Sequence, residues 1–270
     1  MDLGLARAAH VARQHSLTMR QLPLGVYLPD HAVFASFYAG PNAACVAHLR
    51  ALAGRTTAPA AFIWGPPASG KTHLLYALCA LADANGRRAA YLPLTRAARL
   101  GRAALLAGWD TFDVVCLDDL QAVAGETAWE ESLFGLFNRL HDAGGTLVST
   151  ADRPPATLRF ALEDFRSRLV SGGVFGLEYL SDEERLAALQ LRAAHRGLAL
   201  PDETGKYLLK RVPRDMSSLY RLLDSLDREA LAAQRALTVP FVKRVLADLL
   251  KESAAARPAP EPAGPRTAES

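Results

Sequence analysis

Gly65-Pro66-Pro67-Ala68-Ser69-Gly70-Lys71-Thr72 is the stretch that decides the fold. It matches the pattern G-x-x-x-x-G-K-[ST] in full. The terminal glycines let the backbone curl so that its N–H groups converge on a phosphate. Lys71 can reach the outer phosphates, and the Thr72 hydroxyl can hold magnesium. Residues 60–64 before the loop are a short apolar run that reads as a buried strand. Residues 71–84 after it read as a helix, whose positive N-terminal end faces the same phosphate. A chance match in a Gly/Pro-rich turn would lack this strand-loop-helix setting.

Working outward, Asp113-Val114-Val115-Cys116-Leu117-Asp118-Asp119 is an apolar strand ending in two carboxylates. Alone, such a pair reads as a polar cap on a strand. Downstream of a phosphate loop it reads as the magnesium-holding Asp118 followed by Asp119, which can position or deprotonate an attacking water. A strand at 88–94 and a helix at 96–107 are expected between the two motifs. A helix at 127–141 and strands at 146–150 and 174–179 are expected after them. Alternating strands and helices predict an α/β fold with a parallel sheet, right-handed crossovers and the strand ends gathered at the nucleotide edge.

From Leu180 the pattern is helical only. Ser181 and Glu184 form a capping-box pattern at the start of a helix that Gly197 can stop. Further helices are expected at 202–212, 216–235 and 238–251, with Pro240 tolerated in a first turn. The domain reading is therefore a segment 1–27, a nucleotide-binding α/β domain 28–179, a small helical lid domain 180–251 and an Ala/Pro tail 252–270. Residues 3–20 carry arginines and no acid, which reads as a disordered extension, with Met19 an alternative start.

Composition narrows the class further. The chain has 270 residues, half of them hydrophobic and 22% charged, as in globular proteins. Its 31 Lys+Arg against 28 Asp+Glu give a formal charge of +3, which does not suggest a chain that coats nucleic acid. The longest apolar run, 74–82, is far shorter than the roughly 18 residues of a membrane span. Cys45, Cys79 and Cys116 are odd in number and lack metal-ligand spacing, so they read as reduced core thiols of a cytosolic protein.

Gly70 to Leu75, Leu117 to Gln121, Ala151 to Pro155 and the pair Ser167-Arg168 resemble the AAA+ module of the DnaA-type family of replication proteins, over roughly 28–250. Residues 27–30, 34–37, 189–192 and 238–243 carry a closer likeness to that family's regulatory inactivator branch. The resemblance implies a P-loop AAA+ sheet domain followed by a lid. It implies that ADP or ATP is bound with Mg, and that Phe34, Phe37 and Asn42 pack near the adenine. Asp152 takes the place of the sensor 1 acid, and Arg168 that of an arginine finger acting on a neighbour's nucleotide. Without the family, Arg168 would read as a solvated basic residue beside Arg166. The implied partners are the initiator DnaA, the DNA polymerase sliding clamp (its β subunit), DNA indirectly through the clamp, and a second copy of this chain in a homodimer. The implied setting is cytoplasmic, at the nucleoid and replisome, without a membrane. The implied role is inhibition of DNA replication by preventing reinitiation.

Three features complete the expectation. Gln21-Leu22-Pro23-Leu24-Gly25 resembles the short peptide that enters the clamp, with Gln21, Leu22 and Leu24 as the contact residues. Gly25 stands where the fuller motif has an apolar or aromatic side chain. The third lid helix should begin with an arginine that reads the γ-phosphate, yet Ser217 stands there, flanked by Arg214 and Arg221. Asp119 replaces the glutamate usual in AAA+ ATPases, and its shorter reach predicts slow hydrolysis at most. The alternative reading is a helicase-loader type of ATPase that acts by its own turnover on nucleic acid.

Overall fold

The computed structural model describes residues 32–54, 60–100 and 106–255. Five strands form one sheet: β1 (Ala60–Trp64), β2 (Ala89–Pro93), β3 (Val114–Asp118), β4 (Thr146–Ala151) and β5 (Gly173–Gly176). Their order across the sheet is β2-β3-β4-β1-β5, and every pairing is parallel. Such strands must be covered on both faces, and the side chains of β1 divide accordingly. Phe62 points into a core built with Leu117, Leu133, Phe137 and Phe165. Ile63 points into a second core with Leu49, Leu74, Leu75 and Leu78. The first core is closed by α4 (Thr127–Asp142) and α5 (Glu163–Leu169), the second by α1 (Ala43–Ala53) and α2 (Lys71–Ala84). On α4, Trp129, Leu133, Leu136, Phe137 and Leu140 recur at helical spacing and are all buried, which fixes its sheet-facing side.

The region 94–111 departs from the sequence expectation. The described helix there is only α3 (Leu94–Arg99), and a 3-10 turn follows at Trp109–Thr111. Leu100 ends α3, Gly108 at φ of 81° sets the turn before Trp109, and residues 101–105 of the helix expected at 96–107 lie outside the described residues. β5 is also shorter than expected and ends at Gly176. Neither α1 nor α5 was expected, because short helices with brief apolar faces leave little periodicity to read.

The lid follows as α6 (Asp182–His195), α7 (Asp202–Arg211), α8 (Met216–Ala233) and α9 (Val239–Ala255). The capping box is present. Glu184 N donates to Ser181 Oγ at 3.2 Å, and Ser181 N donates to Glu184 Oε2 at 2.8 Å. Asp215 caps α8, accepting from Ser218 N at 2.8 Å, and this bond holds its carboxyl below the usual range. Leu189, Leu208, Leu219, Leu223, Leu226 and Val242 form a separate lid core. Gly205 lets α7 approach α6 closely, since a Cβ there would lie 2.2 Å from Leu186 Cδ1 and displace that side chain. α9 runs to Ala255, past the boundary expected at 251. No helix among the described residues is long and apolar enough to cross a membrane.

Candidate functional site

The loop from Gly65 to Gly70 joins the end of β1 to α2, at the edge where β3 and β4 also end. Gly70 precedes α2 with φ of 99°, and a Cβ on it would lie 2.7 Å from Phe37 Cε2. Both facts favour glycine at that turn. Lys71 is buried, and its Nζ donates to Gly65 O at 2.7 Å and Pro66 O at 2.9 Å. Burial pushes the lysine's pKa down, and the charges of Asp119, Asp118 and Asp152 pull it back up.

Asp118 is the centre of a hydroxyl cluster. Thr72 Oγ1 donates to its Oδ2 at 2.7 Å, Tyr91 OH donates to Oδ2 at 2.8 Å, and Thr150 Oγ1 donates to Oδ1. Burial, and then the Asp118 charge, hold the Tyr91 phenol far above its ordinary pKa. Tyr91 and Thr150 carried no signal in the sequence beyond their places on β2 and β4. The Thr72 and Asp118 oxygens are hard donors set side by side at the phosphate loop. That donor set fits Mg²⁺, which takes one or two protein oxygens and completes its shell with phosphate and water. The ion supplies charge neutralisation at the phosphates when bound.

Asp119 sits in the left-handed region at φ of 61°, which aspartate, with its short polar side chain, adopts more readily than most non-glycine residues. Its amide donates to Thr150 Oγ1 at 3.0 Å, and its Oδ1 accepts from Gln121 Nε2 at 3.0 Å. Gln121 Oε1 in turn accepts from the Asp152 amide at 3.2 Å. Gln121 thus ties the end of β3 to the end of β4. The sequence reading gave it no role, although it stands two residues after the acidic pair. The Asp152 carboxylate is held by Arg153, with Nε to Oδ1 at 2.9 Å and Nη2 to Oδ2 at 2.8 Å. This pair depresses the Asp152 pKa. Asp152 therefore stands near the expected place but engaged by its neighbour, and it lines neither cavity described below.

Two cavities open between the sheet domain and the lid. One, of about 270 Å³, is walled by Phe37, Asn42, Ala68, Ser69, Gly70, Tyr179, Arg214 and Met216, among others. The other, of about 560 Å³, is walled by Pro67, Lys71, Thr72, Asp119, Arg192, Ser217 and Arg221, among others. The first, with its aromatic and apolar walls, suits a base. The second, beside Lys71 and Thr72, suits phosphates. Phe37 and Asn42 both line the first cavity. The Asn42 amide is already committed, however, bonding the Glu178 carbonyl at 3.2 Å and the Glu178 N–H at 2.8 Å. It holds the wall rather than offering a free hydrogen bond. Phe34 differs from expectation: it is buried in the core beside α1, under Arg50, and does not line the cavity.

Arg168 lies in the last turn of α5, exposed, and forms no ion pair among the described residues. Arg166, two positions earlier, is bound to Glu163 through a close guanidinium–carboxylate pair. The two arginines were indistinguishable by composition, and their partners now separate them. Gln21, Leu22 and Leu24 lie outside the described residues.

The family described as the bacterial DnaA ATPase domain matches residues 28–176 of the chain, more than half its length. The chain belongs to the DnaA ATPase family. The family described as the Hda lid domain matches residues 182–246, so this DnaA-type module carries an Hda-type lid. Domain III of the replication initiation protein DnaA from Thermotoga maritima has a similar fold, with TM-score 0.68 at 24% identity. That match covers 83% of this chain and 98% of the other. AMPPCP-bound DnaA from Aquifex aeolicus matches with TM-score 0.58 at 22% identity, over 73% of this chain and 65% of that one. A Thermotoga maritima RuvB variant matches with TM-score 0.56 at 15% identity, over 78% and 68%. At these identities the likeness establishes the fold. The protein is a replication-related DnaA-type AAA+ protein with a P-loop nucleotide-binding fold.

Proposed function

We propose that this DnaA-type protein restrains replication initiation by stimulating hydrolysis of ATP held by DnaA. In this reading residues 28–179 hold an adenine nucleotide, ADP, with Mg at Thr72 and Asp118. Residues from 180 onward form the lid over it. The segment with Gln21, Leu22 and Leu24 docks on the DNA-loaded sliding clamp, and Arg168 is presented to the nucleotide of a neighbouring DnaA. The protein then acts at the nucleoid, reaching DNA through the clamp.

The observation that carries the reading is the joining of a DnaA-type ATPase domain to an Hda-type lid in one chain. The exposed Arg168 supports it, because a finger that acts in trans must be free of its own protein's acids. A guanidinium supplied to a transferring phosphoryl group in trans can raise its rate by about 10³–10⁵. Asp119, one methylene shorter than glutamate, favours slow turnover by the chain itself.

The test is a reconstituted assay of DnaA-bound ATP, with loaded clamp and this protein. The parent chain should accelerate hydrolysis only when the clamp is present. Arg168→Ala should lose that effect while keeping its fold, ADP affinity and clamp binding, and Arg168→Lys should restore little of it. A mutant as active as the parent overturns the assignment of the finger. A parent chain without effect on DnaA, but turning over its own ATP rapidly, favours the loader type of ATPase instead.

A further inference from the structure

Two helices of the lid carry exposed cations that no carboxylate answers. Lys210 and Arg211 end α7, Lys243 and Arg244 lie in the second turn of α9, and Arg235 stands in the connection between α8 and α9. All five are exposed, and none forms an ion pair among the described residues. Lys206 differs, lying 3.6 Å from Asp202. The acids of these helices stand apart from the strip or at its border: Asp202 and Glu203 at the far end of α7, and Asp248 one turn beyond Arg244.

The five cations are gathered rather than scattered. The Arg211 guanidinium and the Lys243 ammonium each lie 5.6 Å from the centre of the Tyr207 ring, so the two charges are at most twice that distance apart. Arg244 lies over Phe241, 5.3 Å from the ring centre, and lines with Arg235 a cavity of about 250 Å³. Thr204 Oγ1 donates to Leu237 O at 2.9 Å, which braces α7 against the chain just before α9. None of the five lines either cavity at the phosphate loop. Cations set this close repel one another, and an aromatic face offsets only part of that at an exposed site. A row of phosphates would offset the rest, and stems already resting on rings have less freedom to lose on binding.

We propose that this strip is a contact for the phosphate backbone of duplex DNA, made by the lid itself without the clamp. DNA is the polyanion that a replication-related protein meets, and the near-neutral balance of the whole chain hides the local excess. Phe241 is buried and two cations cover the Tyr207 ring, so no base stacks there and the contact is independent of sequence. Leu208, Leu209, Val242 and Val245 of the same helices are buried in the lid core, so the strip offers an anionic membrane charge but no apolar face to insert.

Fluorescence anisotropy of the full chain with a short labelled duplex, at several salt concentrations, tests this. Four or five phosphate contacts predict that log K falls with log salt at a slope of about −4, a loss of a few hundredfold between about 50 and 200 mM. Two duplexes of unrelated sequence should bind within about twofold of each other. The double variant Arg211→Gln, Lys243→Gln should flatten the slope by about 2, whereas Arg96→Gln, Arg99→Gln on α3 should leave it unchanged. Absence of binding at the lowest salt, an unchanged slope in the lid variant, or an equal change in the α3 variant overturns the proposal. So does a strong preference between the duplexes. Strip-dependent binding to phosphatidylserine vesicles, with none to DNA, overturns it in favour of a membrane surface. If the lid variant melts early because Tyr207 loses its cover, Lys210→Gln with Arg235→Gln decides the matter by the same slope. The assay holds neither clamp nor DnaA, so its failure leaves the proposed action on DnaA standing.

Discussion

At the scale of single residues, the site is governed by which polar groups are already satisfied. Lys71 bonds two loop carbonyls and sits among three carboxylates, so it is held ready at the phosphate loop. Lys71→Ala should weaken ADP binding by roughly tenfold or more, through loss of a charge-assisted contact. Calorimetry showing unchanged affinity would exclude a nucleotide at this loop. Asp118 has the opposite character: it is a buried acceptor that three hydroxyls share. Tyr91→Phe keeps the shape of the ring and removes one donor, so it should destabilise the fold by about 1 kcal/mol in chemical denaturation. Thr150→Val should cost more, about 2–3 kcal/mol, because Thr150 serves both the Asp118 carboxylate and the Asp119 amide. If the two variants are equally stable, the second bond contributes nothing.

At the scale of elements, a buried carboxylate organises the path from the acidic pair to the helix that bears Arg168. Glu130 on α4 is fully buried, and its two oxygens accept from Gly125 N at 2.6 Å and Leu162 N at 2.7 Å. Gly125 ends the turn that follows Asp119 and Gln121, and Leu162 is the residue before α5. One side chain thus fixes both the loop after β3 and the start of the helix bearing Arg168. Glu130→Gln places an amide donor against a backbone donor and should cost about 2–3 kcal/mol. Hydrogen exchange at the amides of Gly125 and Leu162 should speed up, while ADP affinity holds. Unchanged exchange there would show that packing of Phe165, rather than Glu130, sets α5. This linkage was invisible in the sequence, where a glutamate amid Ala128, Trp129 and Glu131 reads as one more helix-surface acid. What the sequence did make legible has strong local chemistry: the eight-residue phosphate loop, the apolar β3 with its acid pair, and the Ser181 capping box. Features that depend on distant partners were not legible, such as the Asn42 clip on Glu178 and the burial of Arg192. The core position of Phe34 was misread for the same reason, since an aromatic near a site and one beneath it look alike in one dimension.

At the scale of the whole molecule, three buried thiols report on the sheet domain. Cys45, Cys79 and Cys116 are all buried, and burial pushes the Cys45 thiol up to about 12. A raised acid pKa favours the native fold at neutral pH, and the advantage fades as pH rises past the unfolded thiol value towards the folded one. Ellman's reagent at pH 8 should therefore find no reactive thiol in the native chain and three after denaturation. Rapid native labelling would mean that α1 or α2 opens easily. The last prediction concerns how docking and chemistry are joined. Ala32 lines the cavity at the phosphate loop, and the Val33 carbonyl lies 3.0 Å from His73 Nε2 on α2. The first described residues therefore lie beside the phosphate loop. Leu24 is eight residues earlier, a span of at most about 28 Å when fully extended. A clamp held by Gln21, Leu22 and Leu24 would thus stay within that distance of the site's edge. Short tethers raise the effective concentration of whatever the clamp brings near. Replacing the three residues by alanine should abolish co-elution with the clamp and the clamp-dependent stimulation of DnaA. It should leave the melting temperature and ADP affinity unchanged. Lengthening the tether between Leu24 and Ala32 with Gly-Ser repeats should preserve clamp binding but reduce stimulation gradually, as effective concentration falls. Full stimulation with a long tether would show that the clamp only recruits, and that Arg168 finds its target without help from the geometry.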